Sequence, residues 1–193
     1  MSTAVTSAAV TSTAAGFAPA LRRLYFVRSG FAIVWAILVV LTGRQFGPVA
    51  AVLVVLYPLF DVASAVVDAR ASRSTGSTSS TRGPYLTIAV SLLAALGLGI
   101  AVASGIPVVL QVWGVWAIVA GLIQLVVGIN RRALGGQWSM MLSGGISVVA
   151  GTGFLLMAGA AHPSLVNVAG YATLGGIFFL VSALRLGRPT TER

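Results

Sequence analysis

The chain has 193 residues, of which 58% are hydrophobic and only 8% charged; its twelve basic residues, all arginine, outweigh three acidic ones for a net charge of +9. With a mean hydropathy of +1.00, this balance excludes a soluble globular domain, whose single core could not bury so much apolar surface. The absence of cysteine excludes disulfide frameworks, thiolate nucleophiles and thiolate metal sites.

Residues 1–20 carry no charge and no long apolar run. They lack the basic start of a secretory signal and are expected to form a disordered tail. Six apolar segments follow, at about 24–42, 48–67, 85–104, 107–129, 138–158 and 163–186. Each approaches the roughly 20 residues that span about 30 Å of hydrocarbon as a helix, and helices are the form in which an isolated segment satisfies its backbone in lipid. The stretches at 43–47, 105–106 and 159–162 are very short. Those at 68–84 and 130–137 are longer and polar, and 71–83 is a Ser/Thr/Gly linker with too little apolar surface to fold alone. The predicted fold is an all-α integral membrane protein: one transmembrane domain over 21–188, made of three helical hairpins at about 24–67, 85–129 and 138–186, with a C-terminal tail at 189–193.

Arginine placement sets the expected orientation. Arg22, Arg23, Arg28, Arg70, Arg73, Arg82, Arg131, Arg132, Arg185, Arg188 and Arg193 fall on one side of the six spans, and only Arg44 falls on the other. Short basic loops stay cytoplasmic, so both termini are expected inside. The same asymmetry accounts for the positive charge without nucleic acid, by attraction to anionic lipid headgroups on the cytoplasmic face.

The even-numbered spans share a pattern. Each starts with a proline, Pro48, Pro107 or Pro163, at a first turn where its missing N–H costs nothing. Each carries an aromatic eight or nine residues on, Tyr57, Trp116 or Tyr171, and this supports three diverged copies of one hairpin, a pseudo-threefold repeat. Small residues predict close helix packing: Gly114, Gly121 and Gly128 recur every seven residues in the fourth span, and Ser139, Ser143, Ser147 and Gly151 every four in the fifth. A serine-lined polar pathway is the functional alternative to such seams.

One constellation stands apart. Tyr57, Asp61, Ser64 and Asp68 share a face of the second span at i, i+4, i+7 and i+11. Asp68 is expected at the cytoplasmic interface and Asp61 roughly 10 Å deeper. An aspartate near a helix centre costs on the order of 2.5–3.5 kcal/mol to insert, so it must face protein, pair with a cation or keep its proton. Pro58 removes a backbone bond just before it and is expected to kink the helix. Arg28, one turn into the first span from the same side, is the expected partner. The pair reads either as a structural ion pair or as a protonatable site for transport or acid sensing; an Asp61 turned toward a subunit interface, in a homo-oligomer, is the third possibility. Gln111, Gln124, Asn167 and His162 are weaker candidates, and one histidine makes no metal site. No cofactor is expected.

These residues also carry a resemblance. Tyr57-Pro58 with Asp61 and the Asp68-Ala69-Arg70 exit, Trp116-Ala117-Ile118 followed by Ala120-Gly121-Leu122 and Gln124-Leu125, Gln137-Trp138 leading to Leu142-Ser143-Gly144, and Gly170-Tyr171-Ala172 with Phe179-Leu180 occur in order over most of the chain. In this the chain resembles the HdeD-like small membrane proteins, a domain-of-unknown-function group associated with acid resistance in bacteria. The resemblance implies six helices in three hairpins, a bacterial inner membrane and no established enzyme activity; the Ser/Thr linker and the long N-terminal segment depart from the compact family pattern. Three function classes follow: a non-enzymatic membrane protein of acid or envelope stress, a small proton-linked transporter or channel using Asp61, and an intramembrane enzyme. The last is poorest, because three acidic residues, one histidine and no cysteine supply neither a nucleophile–base pair nor a metal cluster.

Overall fold

The computed structural model describes residues 2–43, 46–74, 82–130 and 138–186. Among these the chain is helical, with no strand: α1 (Ser2–Thr42), α2 (Pro48–Ser74), α3 (Arg82–Ala101), α4 (Ile106–Asn130), α5 (Trp138–Ala158) and α6 (Val166–Leu186). A single 3-10 turn, Val102–Ser104, follows α3. It ends at Gly105, whose φ of +86° lies where a side chain would be strained, so glycine makes the sharp entry into α4.

All six helices are long and apolar enough to cross a membrane, over Arg22–Thr42, Pro48–Val67, Gly83–Ser104, Ile106–Asn130, Met140–Ala158 and Val166–Arg185. Only 22% to 33% of each apolar window is buried inside the protein. The remaining apolar surface, including Leu41, Ile100, Val149 and Leu156 at more than 70% exposure, is far more than water tolerates on a monomer and is what a lipid-facing helix presents.

Several boundaries differ from expectation. The segment 1–20, expected as a tail, is helical from Ser2, continuing α1 backward. The expected linker is shorter, because α2 runs on to Ser74 and α3 begins at Arg82; residues 75–81 lie outside the described residues, as do Arg44, Arg131, Arg132 and the tail 189–193. Pro163 is not in the first turn of α6. It lies in the preceding loop, and the helix starts at Val166, whose N–H donates to the Ser164 hydroxyl at 3.2 Å. The serine hydroxyl just ahead of the helix takes up its first N–H, which has no partner within the helix.

The helices contact one another in cyclic order, α1 through α6 and back to α1. The extensive interfaces are α4 with α5, α1 with α6, and α2 with α3; pairs joined by the short turns, such as α1 with α2 and α5 with α6, touch less. The predicted hairpins are therefore not the packing units. A short turn ties two helix ends, whereas close approach along the length needs small residues on both faces. Those residues lie mainly between the hairpins.

The α4/α5 interface shows this directly. A Cβ added at Gly114 would lie 2.7 Å from the Gly151 carbonyl oxygen, and one at Gly121 would lie 2.6 Å from the Gly144 carbonyl oxygen. The two backbones touch at both levels, and Gly128 continues the buried row on α4. On α5 the seam passes through Gly144, Ser147 and Gly151, while Ser143 stands beside it, half-buried. Steps of four drift about 40° per repeat around a 3.6-residue helix, whereas steps of seven drift only about 20°, so the row seven apart stays on the interface. The side chain of Ser139 lies outside the described residues.

Candidate functional site

Asp61 is the one acidic side chain among the described residues, and its placement follows from the first hairpin. Arg28 lies fourteen residues before the end of α1, and Asp61 thirteen after the start of α2. In antiparallel helices joined by a short turn, both therefore lie roughly 20 Å from that turn. The guanidinium Nη2 donates to Asp61 Oδ1 at 2.6 Å, and the two side chains keep 20% and 18% exposure. The expected ion pair is present.

The second carboxylate oxygen is also engaged. Ser91 on α3 donates its hydroxyl to Asp61 Oδ2 at 2.8 Å, and its own oxygen accepts the Trp116 indole N–H of α4 at 3.2 Å. On the other side, the Arg28 guanidinium lies 4.3 Å above the Phe179 ring of α6, a contact favourable to a cation. One carboxylate thus joins α1, α2, α3, α4 and α6 through charge-assisted and aromatic contacts. Charge-assisted bonds are about twice as strong as neutral ones, and lipid offers the same groups no water in exchange.

Tyr57, Asp61 and Ser64 behave as one inward face. Ser64 is 3% exposed, and Tyr57 enters an aromatic cluster one helical turn from the ion pair, on the side of the α1–α2 turn. Its ring lies 4.7 Å from Trp35 and 5.4 Å from Trp113, and Trp113 meets Trp116 at 4.9 Å in a T-shaped contact. Such pairs are worth roughly 0.5–1.5 kcal/mol each beyond area burial. The side chain of Asp68 lies outside the described residues.

Pro58 is buried inside α2, which runs through it as a continuous helix. Its missing N–H releases the Val54 carbonyl, and the neighbouring Leu53 carbonyl accepts the Trp35 indole N–H at 2.6 Å. A side chain from α1 therefore braces α2 where the proline weakens it.

The remaining polar residues scatter. On α5 and α6, Ser147 and the Tyr171 hydroxyl share a hydrogen bond of 2.8 Å, so this serine bridges two helices. Asn167 donates to the Met157 sulfur at 2.8 Å. His162 and Gln111 are exposed. Among the described residues two buried polar atoms have no protein partner: Trp113 Nε1, within the aromatic cluster, and Gln124 Oε1 on α4.

Ser91 and Phe179 are the members of the site that sequence reasoning missed. Ser91 had a signal, being the one hydroxyl in the apolar run from 88 to 103, at a depth that faces Asp61. Trp116 stood out as a repeat marker and in the resemblance motifs, but not as a partner of this site. Compared with protein-family models, curated proteins and solved structures, the chain matches none.

Proposed function

We propose that this chain is a non-enzymatic, multi-pass protein of a bacterial inner membrane, of the HdeD-like kind, with both termini cytoplasmic and a role in the envelope's response to acid. In this reading Arg28, Asp61 and Ser91 form a structural pin, and the protein acts as a packed body in the bilayer rather than as a catalyst. The observation that carries it is the double occupancy of Asp61: Arg28 holds Oδ1 at 2.6 Å and Ser91 holds Oδ2 at 2.8 Å. A carboxylate with both oxygens engaged by its own protein is arranged to hold helices together. The arginine asymmetry supports the orientation, and the ordered motifs from Tyr57 to Leu180 support the family resemblance.

A small proton-linked transporter or channel is the competing reading. It draws on the residual 18% exposure of the Asp61 side chain and on the general rule that intramembrane acids mark proton and ion pathways. Reconstituting the protein in liposomes with an imposed pH gradient separates the two. The structural reading expects no proton flux above protein-free vesicles from either the wild type or Asp61→Asn. A flux in the wild type that Asp61→Asn abolishes would establish the transporter instead. For the stress role, loss of the gene should reduce survival of an acid challenge without affecting growth at neutral pH, and equal survival would remove that role.

A further inference from the structure

Going around the bundle, α5 and α6 make the sparsest of the six neighbour contacts, and the reason lies on their other faces. The Gly144, Ser147 and Gly151 row draws α5 onto α4. On α6, a Cβ at Gly176 would lie 3.3 Å from Ala32 and Ile33 of α1, so small-residue packing draws this helix the other way. The pair is bridged by Ser147 with Tyr171 and by Phe154 with Tyr171, whose rings lie 5.8 Å apart. Both bridges lie at mid-depth or toward the outer turn. Toward the arginine-bearing end the two helices separate.

The separation leaves a cleft of about 1170 Å³, larger than the roughly 300–1,000 Å³ of small-ligand pockets. On α5 it extends from Trp138 to Ala150, roughly 18 Å of helix, close to the ~15 Å of hydrocarbon in one leaflet. Its walls are apolar, and Trp138 and Val149 are 81% and 74% exposed, so the cleft opens sideways to lipid. Its inner end carries Arg185, in the last turn of α6, exposed and outside the ion pair that Arg28 makes. Trp138 and Tyr25 also line the cleft, and such aromatic side chains favour the headgroup region. At its centre is Gly145, where an added Cβ would meet nothing within 4 Å.

We propose that this cleft binds one anionic phospholipid from the leaflet on the arginine side, an acyl chain lying between α5 and α6 and the phosphate held by Arg185. The length matches a single leaflet, the walls match an acyl chain, and Arg185, the one cation among the described residues that line the cleft, complements a phosphodiester. A neutral apolar ligand would have no use for that cation. The proposal stands independently of any role in acid stress.

The test uses the full-length protein reconstituted in vesicles of equal parts phosphatidylglycerol and phosphatidylcholine, gently released into detergent, with bound lipid measured by native mass spectrometry. The wild type should retain phosphatidylglycerol with a roughly fivefold preference, the equivalent of about 1 kcal/mol for one arginine at an anionic surface. Arg185→Gln should bring the two lipids to parity, Gly145→Leu should reduce retention of both by filling the cleft, and Arg70→Gln, at the same end but on α2, should leave the preference unchanged. Should Gly145→Leu lower the yield of folded protein, Arg185→Gln at its exposed position still decides. Parity in the wild type, full retention by folded Gly145→Leu, an equal effect of Arg70→Gln, or a second copy of the chain closing the cleft in place of lipid would each overturn the proposal.

Discussion

Gly144 and Gly145 are adjacent on α5 and face opposite circumstances. A Cβ at Gly144 would lie 2.7 Å from the Gly121 carbonyl oxygen, whereas one at Gly145 would meet nothing within 4 Å. The first belongs to the α4/α5 seam, where two backbones touch. The second lines the α5/α6 cleft, where the same helix leaves its other neighbour. In water both faces would be driven together by apolar burial. In a bilayer lipid serves apolar side chains as well as protein does, so helices close only where small residues or polar bonds give them a reason to.

That contrast can be broken most severely at the seam. Gly144→Leu should destabilise the protein by about 3 kcal/mol or more, because the obstacle is backbone that cannot give way; unfolding in detergent with increasing denaturant measures it, and a wild-type midpoint would mean that the seam is looser than its geometry. A smaller loss is expected on the side of the bundle that is held by polar bonds. Ser91→Ala removes the bridge between Asp61 and Trp116 and should cost about 1 kcal/mol in the same assay, with Ser91→Thr retaining most of the stability. The smallest effect belongs to the cleft: Gly145→Leu should shift stability by no more than about 0.5 kcal/mol. Equal losses at Gly144 and Gly145 would erase the distinction between the two faces.

Much of this was legible in the sequence, for a physical reason. Spans of apolar residues must be helices in lipid, so segments such as 48–67 and 85–104 predict α2 and α3 to within a few residues outside the polar linker. Asp61 and Arg28 could be paired because a misplaced charge in a membrane is so costly that it names its own partner, and depth along two antiparallel helices is simple arithmetic. Gly114, Gly121 and Gly151 announced the seam by spacing alone. What could not be read was lateral order. Sequence hairpins record which helix ends are tied, not which faces meet, so the dominance of α4 with α5 and α1 with α6 emerged only in three dimensions. Neither could spacing reveal that Ser91 approaches Asp61 from a third helix, or that α6 starts at Val166, three residues past Pro163. The cleft had no signal at all, because it is defined by contacts that two helices do not make.

If Arg28 and Asp61 stabilise each other as a pin in the bundle, a double-mutant cycle on unfolding free energy will show it. Arg28→Gln and Asp61→Asn should each cost about 2 kcal/mol or more, since each leaves a charge or its bonding partner without its counterpart in a low-dielectric site. The double variant should cost clearly less than the sum, with a coupling of at least about 1 kcal/mol. Additive losses, or an Asp61→Asn protein as stable as the wild type that has lost a proton flux, would contradict the structural role and assign this carboxylate to transport.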